Sequence, residues 1–301
     1  MNPAAPEKTA SALNGEAVLR SQEHDKVRGI LRDFLKHSMT TNNFLTTESI
    51  HHGSKLYQDV SRKVLDFIEA ADDDSNYEHQ RYIALYTACL LYVDDLGSRH
   101  LEAVAQFSRR FTTAEKQLNP ALDVLTDLLR QSYDLWPQTG ADAIVSGTLE
   151  AVAAMHVECT TGNMKVTPQA TWWPNYLRSR TGICPPYAHF NFMKSWRATP
   201  ESYMQLLPYL EFYIVAANLS FNKEQLVGEM KNYVHVRANA DQMTAIDTLR
   251  LLADEVHACA QRTKMLIGED SELMAIWRSF EQGCLIFHVK TQRYRLVDLA
   301  L

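Results

Sequence analysis

The sequence predicts an all-α fold, a single helical bundle enclosing a central apolar cavity. Three observations carry that expectation. Only 11 glycines and 10 prolines punctuate 301 residues, and 46% of the chain is hydrophobic, enough to bury a substantial core. Strand-like alternation is scarce, whereas apolar residues recur at helical spacing. No fixed repeat and no Pro/Gly/Ser linker divides the chain, so residues 15–301 read as one domain behind a flexible tail at 1–14.

The elements follow in order. Val18, Leu19, Val27, Ile30, Leu31 and Leu35 share most of one face of a first helix. Amphipathic runs continue at about 54–70, 78–96, 119–136, 141–157, 202–217, 218–233, 240–265 and 271–288. Breaks fall at "ADDDSNYE", "TTAEKQLNP", "WPQTG", "TTGNMKVTPQ", "ICPPY" and "RATPES".

A net charge of −6 and the absence of any basic block argue against nucleic-acid binding. Five widely spaced cysteines, with no CxxC pair, suggest neither a disulfide framework nor a zinc site and fit a reducing, cytoplasmic setting. The N-terminus lacks the apolar core of a secretory signal. No apolar run reaches the roughly 20 residues that span a bilayer.

Four stretches place polar groups where a bundle would hold a site. In "RYIALYTACLLYVDDLGSRH" an apolar helix ends in Asp94-Asp95 before Gly97. The partial negative charge of a helix C-terminus disfavours carboxylates there, and a cation such as Mg²⁺ would relieve them. A solvated loop pair is the alternative, as for Asp72-Asp73-Asp74 in polar sequence. In "AANLSFNKEQ", Ser220 and Glu224 are four apart and share a helix face, either as metal ligands or as outward polar residues. Lys223 beside them offers a phosphate a point charge.

In "PNYLRSRTGICPP", Arg178 and Arg180 precede Thr181-Gly182 and two prolines. A helix that stops there and restarts places an Arg at the break, either for bidentate grip on phosphate or as an ordinary basic helix end. In "FHVKTQRYRLVDL", Arg293-Tyr294 either reaches over a pocket mouth or snorkels on the surface.

Taken together and in this order, the four stretches resemble the class I terpene synthases, in particular the fungal trichodiene synthase-like branch. That family has an aspartate-rich motif closing one helix and an Asn-x-x-x-Ser-x-x-x-Glu motif on a later one. It also has an Arg four residues before a glycine at a helix break and an Arg-Tyr pair near the C-terminus. The resemblance covers about residues 80–300. It implies a Mg²⁺-dependent lyase of fungal secondary metabolism, a sesquiterpene cyclase that ionises a prenyl diphosphate, in a family whose members often dimerise. Asp94, Asp95, Ser220 and Glu224 would hold metal. Arg178, Lys223, Arg293 and Tyr294 would hold diphosphate, with Gly182 at the helix break. Tyr86, Tyr92, Trp172, Phe212, Tyr213 and Phe287 supply aromatic surface near the motifs, most of it expected in the core.

The pattern departs from the family at one point. Ala216 stands where the family has asparagine and Ala217 where it often has aspartate, while Asn218 lies about 200° around a helix from Ser220. Leu96, Gly97 and Ser98 follow the aspartates without adding a carboxylate. Either the cyclase works with a non-standard metal site, or the fold couples a terpenoid cation to an amine or alcohol nucleophile, or it binds terpenoids without turnover. On a helix continuous through 216–224, Ala216→Asn would restore a ligand and strengthen Mg²⁺ binding.

Overall fold

A computed structural model describes residues 10–41, 76–162, 164–195, 199–217, 219–296 and 299. The helix expected at about 54–70, Asp72-Asp73-Asp74, Asn218 and residues 1–9 of the expected tail lie outside them. Among the described residues there is no strand. Helix α1 spans Ala10–Thr41, so residues 10–14 are helical rather than tail. There follow α2 (Tyr77–Leu96), α3 (Leu101–Thr112), α4 (Pro120–Leu135), α5 (Gln138–Thr161), α6 (Trp173–Thr181) and α7 (Cys184–His189). Then come α8 (Leu207–Ala216), α9 (Phe221–Leu226), α10 (Tyr233–Asp241), α11 (Ala245–Ile267) and α12 (Ser271–Lys290).

The helix starts are chemically specified. Asn119 accepts from Ala121 N at 2.9 Å just before Pro120, which suits the first turn of α4. Asn232, Thr244 and Asp270 cap α10, α11 and α12 by accepting from His235, Asp247 and Leu273 backbone N–H groups.

Two apolar cores form. One gathers α2, α3, α4 and α5 around Tyr86, Leu90, Phe107, Leu129, Trp136 and Ile144. The other gathers α1, α8, α9, α11, α12 and the C-terminal segment around Leu35, Leu210, Tyr213, Phe221, Leu252 and Trp277. Helix α7 packs between α5 and α8 and joins the halves. Gly147 permits its approach, because a Cβ there would lie 2.6 Å from Pro186 Cδ.

The run expected as one helix at 218–233 is not one. Helix α9 ends at Leu226, Gly228 turns at φ +73°, and α10 begins at Tyr233. Helix α8 stops at Ala216, and Ala217 leaves helical geometry at ψ 69°. Ala216 is therefore not on the helix that carries Glu224. It is 2% exposed in the second core and faces a crevice lined by Ile30, Leu31, Phe34 and Leu252. The expectation that Ala216→Asn would restore a ligand falls with that register. The substitution would instead bury an amide among aliphatic side chains, and we expect a loss of about 1–3 kcal/mol in denaturant unfolding with no gain in Mg²⁺ affinity.

Candidate active site

The site forms on the seam between the two cores, where the end of α2 meets the turn after α12. Helix α2 delivers Asp94 and Asp95 in its last turn, with Gly97 following in a short 3₁₀ turn. Arg293 sits in the 3₁₀ turn Gln292–Tyr294. Its Nη2 donates to Asp94 Oδ2 at 2.5 Å and to Asp95 Oδ1 at 2.6 Å. The cation that a helix C-terminus calls for is, in part, this guanidinium. Both carboxylates stay about two-fifths exposed, at 44% and 43%. Among the described residues nothing donates to Asp94 Oδ1 or Asp95 Oδ2, so each carboxylate keeps one open oxygen.

Tyr294 is buried against this turn. Its hydroxyl accepts from Arg293 Nη1 at 3.3 Å, and its ring packs on Phe287 and His288. Asn222 of α9 donates to Arg295 O at 3.2 Å, which ties α9 to the same segment. Arg295 itself adopts φ +54°, and this left-handed residue turns the chain so that Tyr294 points inward.

Arg178 arrives from the opposite wall. Helix α6 ends as Gly182 N donates to Arg178 O at 2.8 Å, and Ile183 enters the left-handed region at φ +57° before α7. A Cβ on Gly182 would lie 2.7 Å from Arg178 O and 3.2 Å from Cys184 Sγ, so the break requires glycine there. Arg178 Nε is buried and has no acceptor among the described residues. A buried guanidinium N–H without a partner is expensive, and an anionic ligand oxygen would satisfy it. Arg180 instead lies 3.8 Å over the Tyr176 ring and 3.9 Å from Glu150, away from this group.

Helix α9 contributes Ser220, Lys223 and Glu224. Glu224 N donates to Ser220 O at 3.2 Å, so the two residues are one turn apart, as their spacing indicates. After the Gly228 turn, Glu229 N donates to Glu224 O at 2.9 Å and brings a further carboxylate alongside.

The charges of these groups act on two nearby carboxyls. Glu158, in the last turn of α5, is exposed and lies within reach of these charges. Desolvation there, with the charges of Asp94, Glu229 and Glu224, pushes its carboxyl up to about 7, and Arg178 opposes the rise. Burial and the Glu224 charge raise Glu229, with Lys223 and Arg293 opposing. Asp94, Arg178, Lys223, Glu224 and Arg293 thus act on common neighbours from four parts of the chain.

Glu158 has a stability consequence. Its folded pKa lies above that of an unfolded glutamate, so the native state binds the extra proton between about pH 4.5 and about 7. Stability falls as pH rises through that window. Glu158→Gln is expected to raise Tm at pH 8 and to leave it nearly unchanged at pH 4, measured without added metal.

Behind the charged rim the wall is neutral. Burial pushes the Cys184 and Cys284 thiols up to about 12, so neither offers a thiolate. All five cysteines are free. Tyr187 donates its hydroxyl to Thr87 Oγ1 at 2.9 Å, and Tyr86 and Thr148 share a hydroxyl–hydroxyl bond of 2.6 Å. Of the aromatics near the motifs, Phe287 packs beside the site, Tyr86 and Tyr213 are core residues, and Trp172 is 84% exposed. Tyr92 is bonded through its hydroxyl to Asn119, and Phe212 lies partly exposed on α8.

The donor set suits Mg²⁺. Two open carboxylate oxygens stand on α2, and a hydroxyl and carboxylate stand one turn apart at α9. Mg²⁺ binds through one or two carboxylates and completes its shell with water and phosphate oxygens. Among the described residues no three or more His, Cys, Asp or Glu side chains cluster as a protein-only metal site.

No protein-family profile matches the chain. It is 30% identical over 227 residues to alpha-cuprenene synthase COP6 of Coprinopsis cinerea, covering 74% of this chain and 69% of that protein. The chain belongs to the terpene synthases. Monoterpene synthase 25 of Postia placenta is likewise 30% identical over 228 residues, covering 75% of this synthase and 68% of that one. In fold it resembles the linalool/nerolidol synthase of Streptomyces clavuligerus, with a TM-score of 0.53 at 13% identity over 80% of this chain and 98% of that one. The bundle is an all-α class I terpene synthase fold. Among the described residues no helix is long and apolar enough to cross a membrane.

Proposed function

We propose that this synthase is a Mg²⁺-dependent sesquiterpene cyclase of fungal secondary metabolism, of the trichodiene synthase-like branch. It would ionise a prenyl diphosphate and steer the resulting cation to a cyclic product. The observation that supports the reading is the pairing of Arg293 with Asp94 and Asp95, together with the charges that Arg178, Lys223 and Glu224 exert on Glu158 and Glu229.

Each residue has a distinct task. Arg178 offers its unpartnered Nε–H to a diphosphate oxygen at the helix break. Arg293 and the Tyr294 hydroxyl bind oxygens at the C-terminal wall, and Lys223 adds a point charge from α9. Asp94, Asp95, Ser220 and Glu224 would hold the metal. Bound there, Mg²⁺ would neutralise charge developing on the departing pyrophosphate. Arg178 and Arg293 stabilise the same charge from preorganised positions, which is where such groups lower a barrier most. Tyr187, Phe287 and the protonated thiols of Cys184 and Cys284 exclude water and offer no strong nucleophile to the cation.

Arg293 bridges Asp94 and Asp95. Diphosphate binding would draw Arg293 toward phosphate and free both carboxylates for the metal, so substrate and metal should bind cooperatively. Steady incubation with geranyl, farnesyl and geranylgeranyl diphosphates, followed by gas chromatography, tests the reading. Cyclic C15 products support it. Products from geranyl diphosphate alone would make this a monoterpene synthase. Turnover only in the presence of an added amine or alcohol would favour the coupling reading.

A further inference from the structure

His288 is a titratable group beside Tyr294 that binding and ionisation leave unused. It lies in the last turn of α12, five residues before Arg293 in the following 3₁₀ turn. Its Nδ1 lies 2.7 Å from Cys284 O. A carbonyl oxygen can only accept, so Nδ1 carries the hydrogen and, in the neutral ring, Nε2 carries the lone pair. Burial, then the charges of Arg178 and Arg293, hold the imidazole down to about 4 against the raising effect of the Cys284 carbonyl. The ring is therefore neutral at any ordinary working pH.

Its position is equally defined. The ring lies 4.5 Å from that of Tyr294 and 5.4 Å from that of Phe287. Among the described residues nothing donates to Nε2, and the side chain is half-buried rather than sealed. An acceptor held in a fixed orientation thus lies against Tyr294, whose hydroxyl accepts from Arg293, within reach of the charges of Arg178 and Arg293.

We propose that His288, through Nε2, is the base that ends the reaction by taking a proton from the last carbocation. This rests on the ionisation reading above. The C–H bond next to the cationic carbon breaks, and its electron pair becomes the new C=C bond. The proton moves to Nε2, leaving a neutral alkene and an imidazolium. That imidazolium is a strong acid in this setting and passes its proton to the released pyrophosphate or to water, which restores the base. A weak base suffices, because a carbocation with an adjacent C–H is a far stronger acid than imidazolium. Weakness also helps, since a more basic imidazole would be protonated beforehand and would repel the cation. The bond to Cys284 O fixes the ring, so one face of the cation is deprotonated in preference to others.

Three variants test this, with pyrophosphate release, product distribution and Tm read for each. His288→Phe keeps the ring and removes both nitrogens. His288→Asn keeps a donor for Cys284 O and removes only the acceptor at Nε2. His288→Gln returns an acceptor near Nε2. We expect His288→Phe and His288→Asn to release pyrophosphate within about fivefold of the unsubstituted chain while the main alkene falls about tenfold or more against other products. His288→Gln should recover part of that alkene. An unchanged product distribution in either His288→Phe or His288→Asn would overturn the proposal, as would His288→Gln shifting products as far as His288→Phe does. Loss of pyrophosphate release in a folded His288→Asn would also overturn it, by placing His288 in ionisation. No release from the unsubstituted chain would remove the ionisation reading first, and this proposal with it.

Discussion

Replacing Arg178 with alanine is expected to slow pyrophosphate release by about 10²–10³-fold, the usual cost of deleting one preorganised donor to a developing oxyanion. Two features single out this arginine. Its Nε is buried with no acceptor among the described residues, so the native fold maintains an unmet donor at the helix break. Gly182 and the left-handed Ile183 hold that break, and both lie within five residues of Arg178 in sequence. The loss should appear in kcat as well as in KM, because the charge that Arg178 meets grows toward the transition state. Arg178→Lys should recover little, since one ammonium cannot reproduce the fork at Nε and Nη. Stability should not fall, because removing an unpaired buried N–H relieves a cost. Single-turnover kinetics beside thermal melts would check both halves. A full-speed Arg178→Ala would take this residue out of the chemistry.

Asp94→Ala is the second large effect, with loss of all Mg²⁺-stimulated turnover. Asp94 holds Arg293 and also raises Glu158, so it links the C-terminal wall to α5. Its removal leaves Arg293 paired with Asp95 alone and takes one of two open carboxylate oxygens from α2. Structural loss should be slight, since the pair is about two-fifths exposed on the aspartate side and such ion pairs contribute about 0–1 kcal/mol. A calorimetric titration of Mg²⁺ with pyrophosphate should show weaker coupling between the two ligands. Undiminished Mg²⁺-dependent activity in Asp94→Ala would remove Asp94 from the metal set.

Much of this was legible in the sequence where a local rule applied. Two aspartates at the wrong end of an apolar helix pointed to a cation, expected as Mg²⁺, and the structure sets Arg293 against them, a pairing the sequence did not indicate. A glycine and two prolines after Arg178 marked a break that the structure contains. Ser220 and Glu224 kept their one-turn relation even though their helix is only six residues long. Periodicity failed where a turn interrupts an amphipathic pattern without a proline. Residues 218–233 read as one helix, but Gly228 at positive φ divides them. The family register carried across 216–224 failed separately, because the helix that holds Ala216 ends there and Glu224 lies on the next one. The short helices α3, α7 and α10 did not stand out either. They pack against α5, α8 and α11, and α3 carries a strongly amphipathic pattern of its own that buries Ala103, Val104 and Phe107.

Glu158, Glu229 and His288 went unmarked because each stands alone, without a partner at helical spacing. A signal did exist for two of them. Glu158 is an acid in the last turn of α5, as poorly placed for the helix dipole as Asp94. His288 is an imidazole on a helix whose neighbours Leu285, Ile286, Phe287 and Val289 are apolar. Applying the rule that found Asp94 to every helix end would have added Glu158 to the site.

The proposed function requires the acidic and basic groups to act together on a prenyl diphosphate. The most direct measurement is pyrophosphate release from farnesyl diphosphate by the purified chain, with Mg²⁺ and again with a chelator, with volatile products collected in parallel. Release that requires Mg²⁺ and accompanies a cyclic hydrocarbon or alcohol is the predicted result. No release from farnesyl or any other prenyl diphosphate, by folded protein with Mg²⁺ present, would contradict it.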